Sequence, residues 1–151
     1  MFQKLERTRP RAEESGCGKS ILIVEDDDTI GAFLVLALRQ ETPSAVRWVP
    51  DGFEALRAIR EDKPDLLILD YQLPRMNGID LYDKIHALPG FEHIPVIMVS
   101  AQLPKREIEK RTSQQLQFVC IRSIEYTTIK QMSKSLNERY LPFGICYSDS
   151  I

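Results

Sequence analysis

Five short, mostly apolar runs punctuate this chain, and a segment of helical spacing follows each one. The runs are Ile21–Val24, Ala45–Val49, Leu66–Leu69, Val96–Val99 and Phe118–Ile121. Runs that are apolar residue after residue read as strands buried on both faces. After the first, Ile30, Phe33, Leu34, Ala37 and Leu38 recur on one helical face through about Gln40, with Asp27 or Asp28 placed to cap that helix. Phe53 to Arg60 is a second helix with Leu56 and Ile59 inward, and Ile79 to Leu88 a third with Leu81, Ile85 and Leu88 in line. Pro104 to about Leu116 is a weaker, charged helix anchored by Ile108 and Leu116. Thr127 to Tyr140 is the last, along Ile129, Met132, Leu136 and Tyr140. Thr42-Pro43-Ser44, Pro50-Asp51-Gly52, Lys63-Pro64-Asp65 and Pro89-Gly90 supply the breaks. Strands and helices in strict alternation specify an α/β, doubly wound, five-stranded parallel sheet with helices on both faces.

The 151 residues fit one domain over 20–141, between a polar tail at 1–19 and a short tail at 142–151. With 43% apolar and 28% charged residues the chain has the makings of a core without staples. A net charge of -2 selects neither a nucleic-acid nor a membrane partner. The charge is uneven, with 14 acids against 7 bases over 21–102, and 8 bases against 4 acids over 103–140. The basic surplus reads as a solvated face. Cys17, Cys120 and Cys146 show neither pairing nor metal-ligand spacing, so reduced thiols and a cytoplasmic location are expected. The N-terminus lacks the apolar core of a signal peptide, and the Ala32–Leu38 run is too short to span a bilayer. Ser15-Gly16-Cys17-Gly18-Lys19-Ser20 imitates the end of a P-loop. Glu13 stands where that motif needs glycine, and an apolar strand follows where it needs a helix.

Function is expected where the strands emerge. In a doubly wound sheet, ligands sit beyond the carboxyl ends of the strands. Leu66-Leu67-Ile68-Leu69 runs straight into Asp70, and a loop with Pro74 and Asn77-Gly78 follows. Glu25 and Asp26 follow the first strand, Ser100 ends the fourth and Arg122 the fifth. These groups should share one crevice. Three carboxylates there repel one another unless a cation joins them. A hard divalent ion such as Mg²⁺ suits oxygen ligands and a phosphate. A hydroxyl and a guanidinium suit the remaining phosphoryl oxygens, and Asp70 can itself be the nucleophile. His86 and His93 have no partners that suggest catalysis or metal binding.

Three motifs resemble the receiver domain of two-component response regulators. They are Ile21-Leu22-Ile23-Val24-Glu25-Asp26-Asp27, Asp70-Tyr71-Gln72-Leu73-Pro74-Arg75-Met76-Asn77-Gly78, and Val96-Ile97-Met98-Val99-Ser100-Ala101. The resemblance covers about residues 20 to 122. It implies a flavodoxin-like (βα)5 fold with strand order 2-1-3-4-5, and a phosphoacceptor Asp70 that takes its phosphoryl group from a histidine kinase or histidine phosphotransfer protein. It implies Mg²⁺ on Asp26, Asp70 and the carbonyl of Gln72, with Glu25 in the outer shell. It further implies that Ser100 bonds the phosphoryl group and shifts inward, repacking an output face for a partner the sequence does not name. Apart from this self-phosphorylation and dephosphorylation, no enzymatic turnover is expected. A homodimer is compatible with the reading. A stand-alone regulator, a phosphorelay intermediate and a receiver cut from a hybrid kinase fit equally.

The chain departs from the family pattern after Ser100. Arg122-Ser123 stands where the family has Lys-Pro, and aliphatic Val119 where an aromatic often couples to the hydroxyl; Phe118 points to the opposite face. These departures feed one alternative, a degenerate receiver acting as a phosphorylation-independent interaction module. A haloacid-dehalogenase-type phosphatase is the other. That chemistry needs a second acid two residues past the nucleophile, and Gln72 occupies the place. Gln72 and Gln102 are expected to flank the path of hydrolytic water and to tune the lifetime of the acyl phosphate.

Overall fold

The first strand, β1 (Ser20–Val24), is apolar from its second residue, and all four apolar side chains are buried. It lies between β2 (Ala45–Val49) and β3 (Leu66–Asp70), and pairs with both in parallel. β4 (Val96–Ser100) and β5 (Leu116–Cys120) extend the sheet, giving the order β2-β1-β3-β4-β5. This is the expected order. The computed structural model describes residues 18–101, 105–106, 110, 116–120 and 126–134.

Alternate residues of each strand feed opposite cores. Leu22, Val24, Leu67, Leu69, Val96, Met98 and Phe118 pack under α2 (Gly52–Glu61) and α3 (Gly78–His86). Ile21, Ile23, Ile68, Ile97, Val99 and Val119 pack under α1 (Asp28–Glu41) and α4 (Tyr126–Lys134). Each fully buried aliphatic side chain contributes roughly 1.5–3 kcal/mol. The three inner strands β1, β3 and β4 are therefore committed along nearly their whole length, with Ser20, Asp70 and Ser100 at their ends, whereas edge strand β2 carries the half-buried Arg47 in its middle. Phe118 and Val119 do face opposite sides, as their alternation requires.

The starts of α1, α2 and α3 each have a side chain that meets orphan amides of the first turn. Asp27 Oδ1 accepts from the N–H groups of Thr29 and Ile30 at 2.9 and 3.0 Å. Asp51 caps α2 through the Glu54 N–H at 2.9 Å, and Asn77 caps α3 through the Asp80 N–H at 2.9 Å. α1 runs one residue past Gln40, and α3 stops at His86, two residues before Leu88. Leu56 is only half-buried; Ala55 and Ala58 join Ile59 in the core instead.

One boundary needs correction. Leu116 does not anchor the fourth expected helix; it opens β5, fully buried and paired with Val96. Its polar neighbours Gln114, Gln115 and Gln117 hide a strand start, because they interrupt the apolar run of an edge strand. Of the rest of that helix, Lys105, Arg106 and Lys110 are described, and they are helical and exposed. Ile129 and Met132 of α4 are buried as expected. Ile108, Ile121, Leu136 and Tyr140 lie outside the described residues.

Candidate functional site

The end of β1 and the end of β3 deliver carboxylates to one place. Glu25, Asp26 and Asp70 each offer an oxygen, and these oxygens all lie within 4.8 Å of one another. Glu25 is 2% exposed, Asp70 is half-buried and Asp26 is exposed. The three grade from core to solvent across a few ångströms.

Backbone bonds hold both strand ends. The Glu25 N–H continues the ladder to Val49 O at 3.1 Å, and Glu25 Oε1 accepts from the Asp27 N–H at 3.1 Å. At β3, the Tyr71 N–H reaches Val99 O at 2.8 Å, one residue past Asp70. Asp70 Oδ1 accepts from the Gln72 N–H at 3.0 Å, and the loop closes when Gly78 N–H donates to Tyr71 O at 2.8 Å. Gly78 has to be glycine there. A Cβ on it would come within 2.6 Å of Met98 Sδ and closer still to the carbonyl oxygen of Asp70.

Burial pushes the Glu25 carboxyl up to about 8, helped by the negative charge of Asp70 and opposed by the Asp27 N–H. Asp70 rises to about 6, again mainly by burial, against the stabilising Gln72 N–H and a hydrogen bond from the Glu25 carboxyl. Without a cation the pair therefore resists losing both protons, chiefly because of burial. An all-oxygen donor set that is costly to ionise alone is a chemical fit for a hard divalent ion, whose charge would offset that cost. The triad could hold such a metal.

Ser100 is the last residue of β4, 1% exposed and in register with Cys120. Gln72 follows in the β3–α3 loop with its side chain exposed. Arg122 and Gln102 lie outside the described residues, as do Cys17 and Cys146. Lys19 leads into β1 rather than into a helix, so the P-loop imitation has no helix N-terminus on which to seat a phosphate.

Two contacts of the site have no local signature in the sequence. Trp48 of β2 donates its indole N–H to the carbonyl oxygen of Glu25 at 2.8 Å, across 23 positions. Arg75, in the β3–α3 loop, pairs with Asp51 Oδ2 at 3.2 Å and lies 5.0 Å over the Phe53 ring. Its φ of 64° lies in the left-handed region, which costs a non-glycine residue roughly 1–3 kcal/mol. Both contacts join residues that only the folded topology brings together.

Residues 21–132 match the response regulator receiver domain family. The chain belongs to that family. The receiver's relatives include the DNA-binding response regulator MtrA of Mycolicibacterium smegmatis, 42% identical over 83 residues. The match takes in 54% of this chain but only 34% of that protein, so the chain spans about a third of the relative's length. The crystal structure of a putative response regulator from Chloroflexus aurantiacus superposes with a TM-score of 0.69 at 27% identity, over 80% of this receiver and 99% of that chain. The receiver domain of a sensor histidine kinase from Pseudomonas aeruginosa superposes with a TM-score of 0.68 at 21% identity, over 80% of this chain and 99% of that one. That domain holds a magnesium ion in its active-site cleft. The fold is flavodoxin-like, and the acidic pocket of this receiver is consistent with a phosphoacceptor site. The family is not one of classical enzymes. No helix among the described residues is long and apolar enough to cross a membrane.

Proposed function

We propose that this receiver takes a phosphoryl group from a histidine kinase or histidine phosphotransfer protein onto Asp70, with Mg²⁺. The observation that carries this reading is the convergence of Glu25, Asp26 and Asp70 within 4.8 Å at the ends of adjacent strands. Asp26 and Asp70 would ligate the metal with the carbonyl of Gln72, and Glu25 would balance its charge from the buried side. When bound, the cation supplies neutralisation of phosphoryl charge and a fixed orientation for the incoming group.

The chain's own residues do the rest. One Asp70 oxygen attacks phosphorus, in line with the N–P bond of a phosphohistidine. That bond breaks, its electron pair leaves with the imidazole nitrogen, and the nitrogen takes a proton. The product is an acyl phosphate on Asp70. The Gln72 N–H, bonded to Oδ1, keeps the carboxylate aimed. The Ser100 hydroxyl donates to a phosphoryl oxygen from β4. Arg122 would add a positive charge from beyond β5. Signalling then follows from the shift of Ser100 against β5.

Incubation with acetyl phosphate or phosphoramidate and Mg²⁺ tests the reading. Intact mass should rise by one phosphate, chelation of Mg²⁺ should prevent the rise, and Asp70→Asn should abolish it. An unchanged wild-type mass, or an increase that survives Asp70→Asn, contradicts it. A constant partner affinity with and without phosphodonor would favour an interaction module instead.

A further inference from the structure

Trp48 is the only tryptophan in the chain, and it lies on β2 rather than on a strand that carries an acid. Its indole N–H donates to the Glu25 carbonyl oxygen at 2.8 Å. That carbonyl belongs to the peptide joining Glu25 to Asp26, the two acids of the β1 end. On its other side, the Glu25 N–H is bonded to Val49 O at 3.1 Å, so β2 holds the residue from both backbone atoms. Past Val49 the chain turns through Pro50 into Asp51, the cap of α2.

Room for the ring is made by Gly31, buried on α1. A Cβ there would come within 2.7 Å of Trp48 Nε1 and closer to two carbons of the ring. Glycine in a helix interior costs roughly 1 kcal/mol relative to alanine, and here the missing side chain lets an indole lie against the helix backbone. Gly31 N–H in turn bonds Asp27 O at 2.9 Å, in the turn that Asp27 caps. The ring is therefore wedged between the start of α1 and the acid-bearing peptide.

We infer that Trp48 is a positioning residue for the metal site, acting through the Glu25 carbonyl to fix the peptide from which Asp26 projects. This rests on the proposed metal role of Glu25, Asp26 and Asp70. Rotation of the 25–26 peptide would swing Asp26, the most exposed of the three acids, out of reach of Asp70. The indole bond opposes that rotation, in the way that outer-sphere hydrogen bonds orient metal ligands elsewhere.

The test uses the full chain and Mn²⁺ as a probe, with free ion counted by electron paramagnetic resonance. Trp48→Phe keeps an aromatic ring against Gly31 and removes the donor. It should bind Mn²⁺ roughly tenfold more weakly than wild type, while unfolding as cooperatively. Wild-type protein supplies a readout that packing alone would not move. The single indole N–H resonance, in a proton–nitrogen correlation spectrum, should be protected from solvent exchange. It should shift on Mg²⁺ addition and saturate with metal binding. An unchanged Mn²⁺ affinity in Trp48→Phe, or a resonance that ignores saturating Mg²⁺, overturns the inference and leaves the phosphoacceptor reading standing. If Trp48→Phe fails to fold, the wild-type resonance alone decides. Wild-type protein that binds no Mn²⁺ overturns the metal reading, and this inference with it.

Discussion

The ends of β1 and β3 solve the same problem in the same way, with opposite results. Each strand emerges from the core on an acid, and each acid accepts a hydrogen bond from the backbone N–H two residues on, Asp27 for Glu25 and Gln72 for Asp70. Glu25 is buried behind β2 and Trp48, whereas Asp70 opens toward solvent. Both carboxyls rise mainly through burial, to about 8 for Glu25 and about 6 for Asp70, and the hydrogen bond between them raises the first while lowering the second. Their shared interaction, not the turn that follows each strand, sets the two acids apart. One carboxyl is suited to balancing charge from inside, the other to presenting an ionised oxygen to a phosphorus.

The largest effect should come from exchanging the charges at the two ends. Asp70→Asn should remove phosphate incorporation from acetyl phosphate altogether. Glu25→Gln should keep it, with metal affinity lowered roughly tenfold. Intact-mass time courses at several Mg²⁺ concentrations check both. Incorporation that survives in Asp70→Asn and vanishes in Glu25→Gln would reverse the assignment.

The pH response should follow the buried acid. Glu25 has a folded value of about 8, above the ordinary 4.5, so the metal-free fold holds its proton more tightly than the unfolded chain does. Its contribution to stability is then full below about pH 4.5 and is lost as pH rises through about 8. Asp70 acts in the same direction between about 4 and 6, to a smaller extent because it is partly solvated. Thermal unfolding without metal should show a midpoint that falls across this range, and Glu25→Gln should flatten the fall. Added Mg²⁺ should protect more at about pH 8 than at about pH 5, because binding displaces the proton. A metal-free midpoint that rises over the same interval would contradict the burial of Glu25.

Gly78→Ala attacks only the β3 end. The added Cβ meets the Asp70 carbonyl and Met98 Sδ, and should destabilise the fold by roughly 1–3 kcal/mol. Phosphorylation should slow while the Trp48 environment at the β1 end stays as it was; denaturant titration and indole fluorescence separate the two. Arg75→Gly should have the smallest effect. It relieves the positive φ but loses an ion pair worth roughly 0–1 kcal/mol and adds a glycine's freedom to the unfolded chain, roughly 0.4–1 kcal/mol, so the opposing terms should largely cancel.

The sheet was legible because its strands are buried on both faces, so their apolar runs mark both their position and their ends. The acids were legible for the same reason: Glu25, Asp26 and Asp70 stand where those runs stop. Leu116 was misread because an edge strand shares that pattern only in part, and its polar neighbours resemble the end of a helix. The Trp48 bond to Glu25 and the space left by Gly31 had no signal in the sequence. They join separate elements, and only the fold reveals that a lone tryptophan and a helical glycine are a pair.

Reductive trapping tests the division between the two strand ends most directly. After reaction with acetyl phosphate and Mg²⁺, borohydride converts an aspartyl phosphate to homoserine, and peptide mass spectrometry locates it. The expected result is homoserine at position 70 alone, absent without phosphodonor and absent from Asp70→Asn. A reduced residue at position 25 or 26, or none in the wild-type protein, would contradict the account.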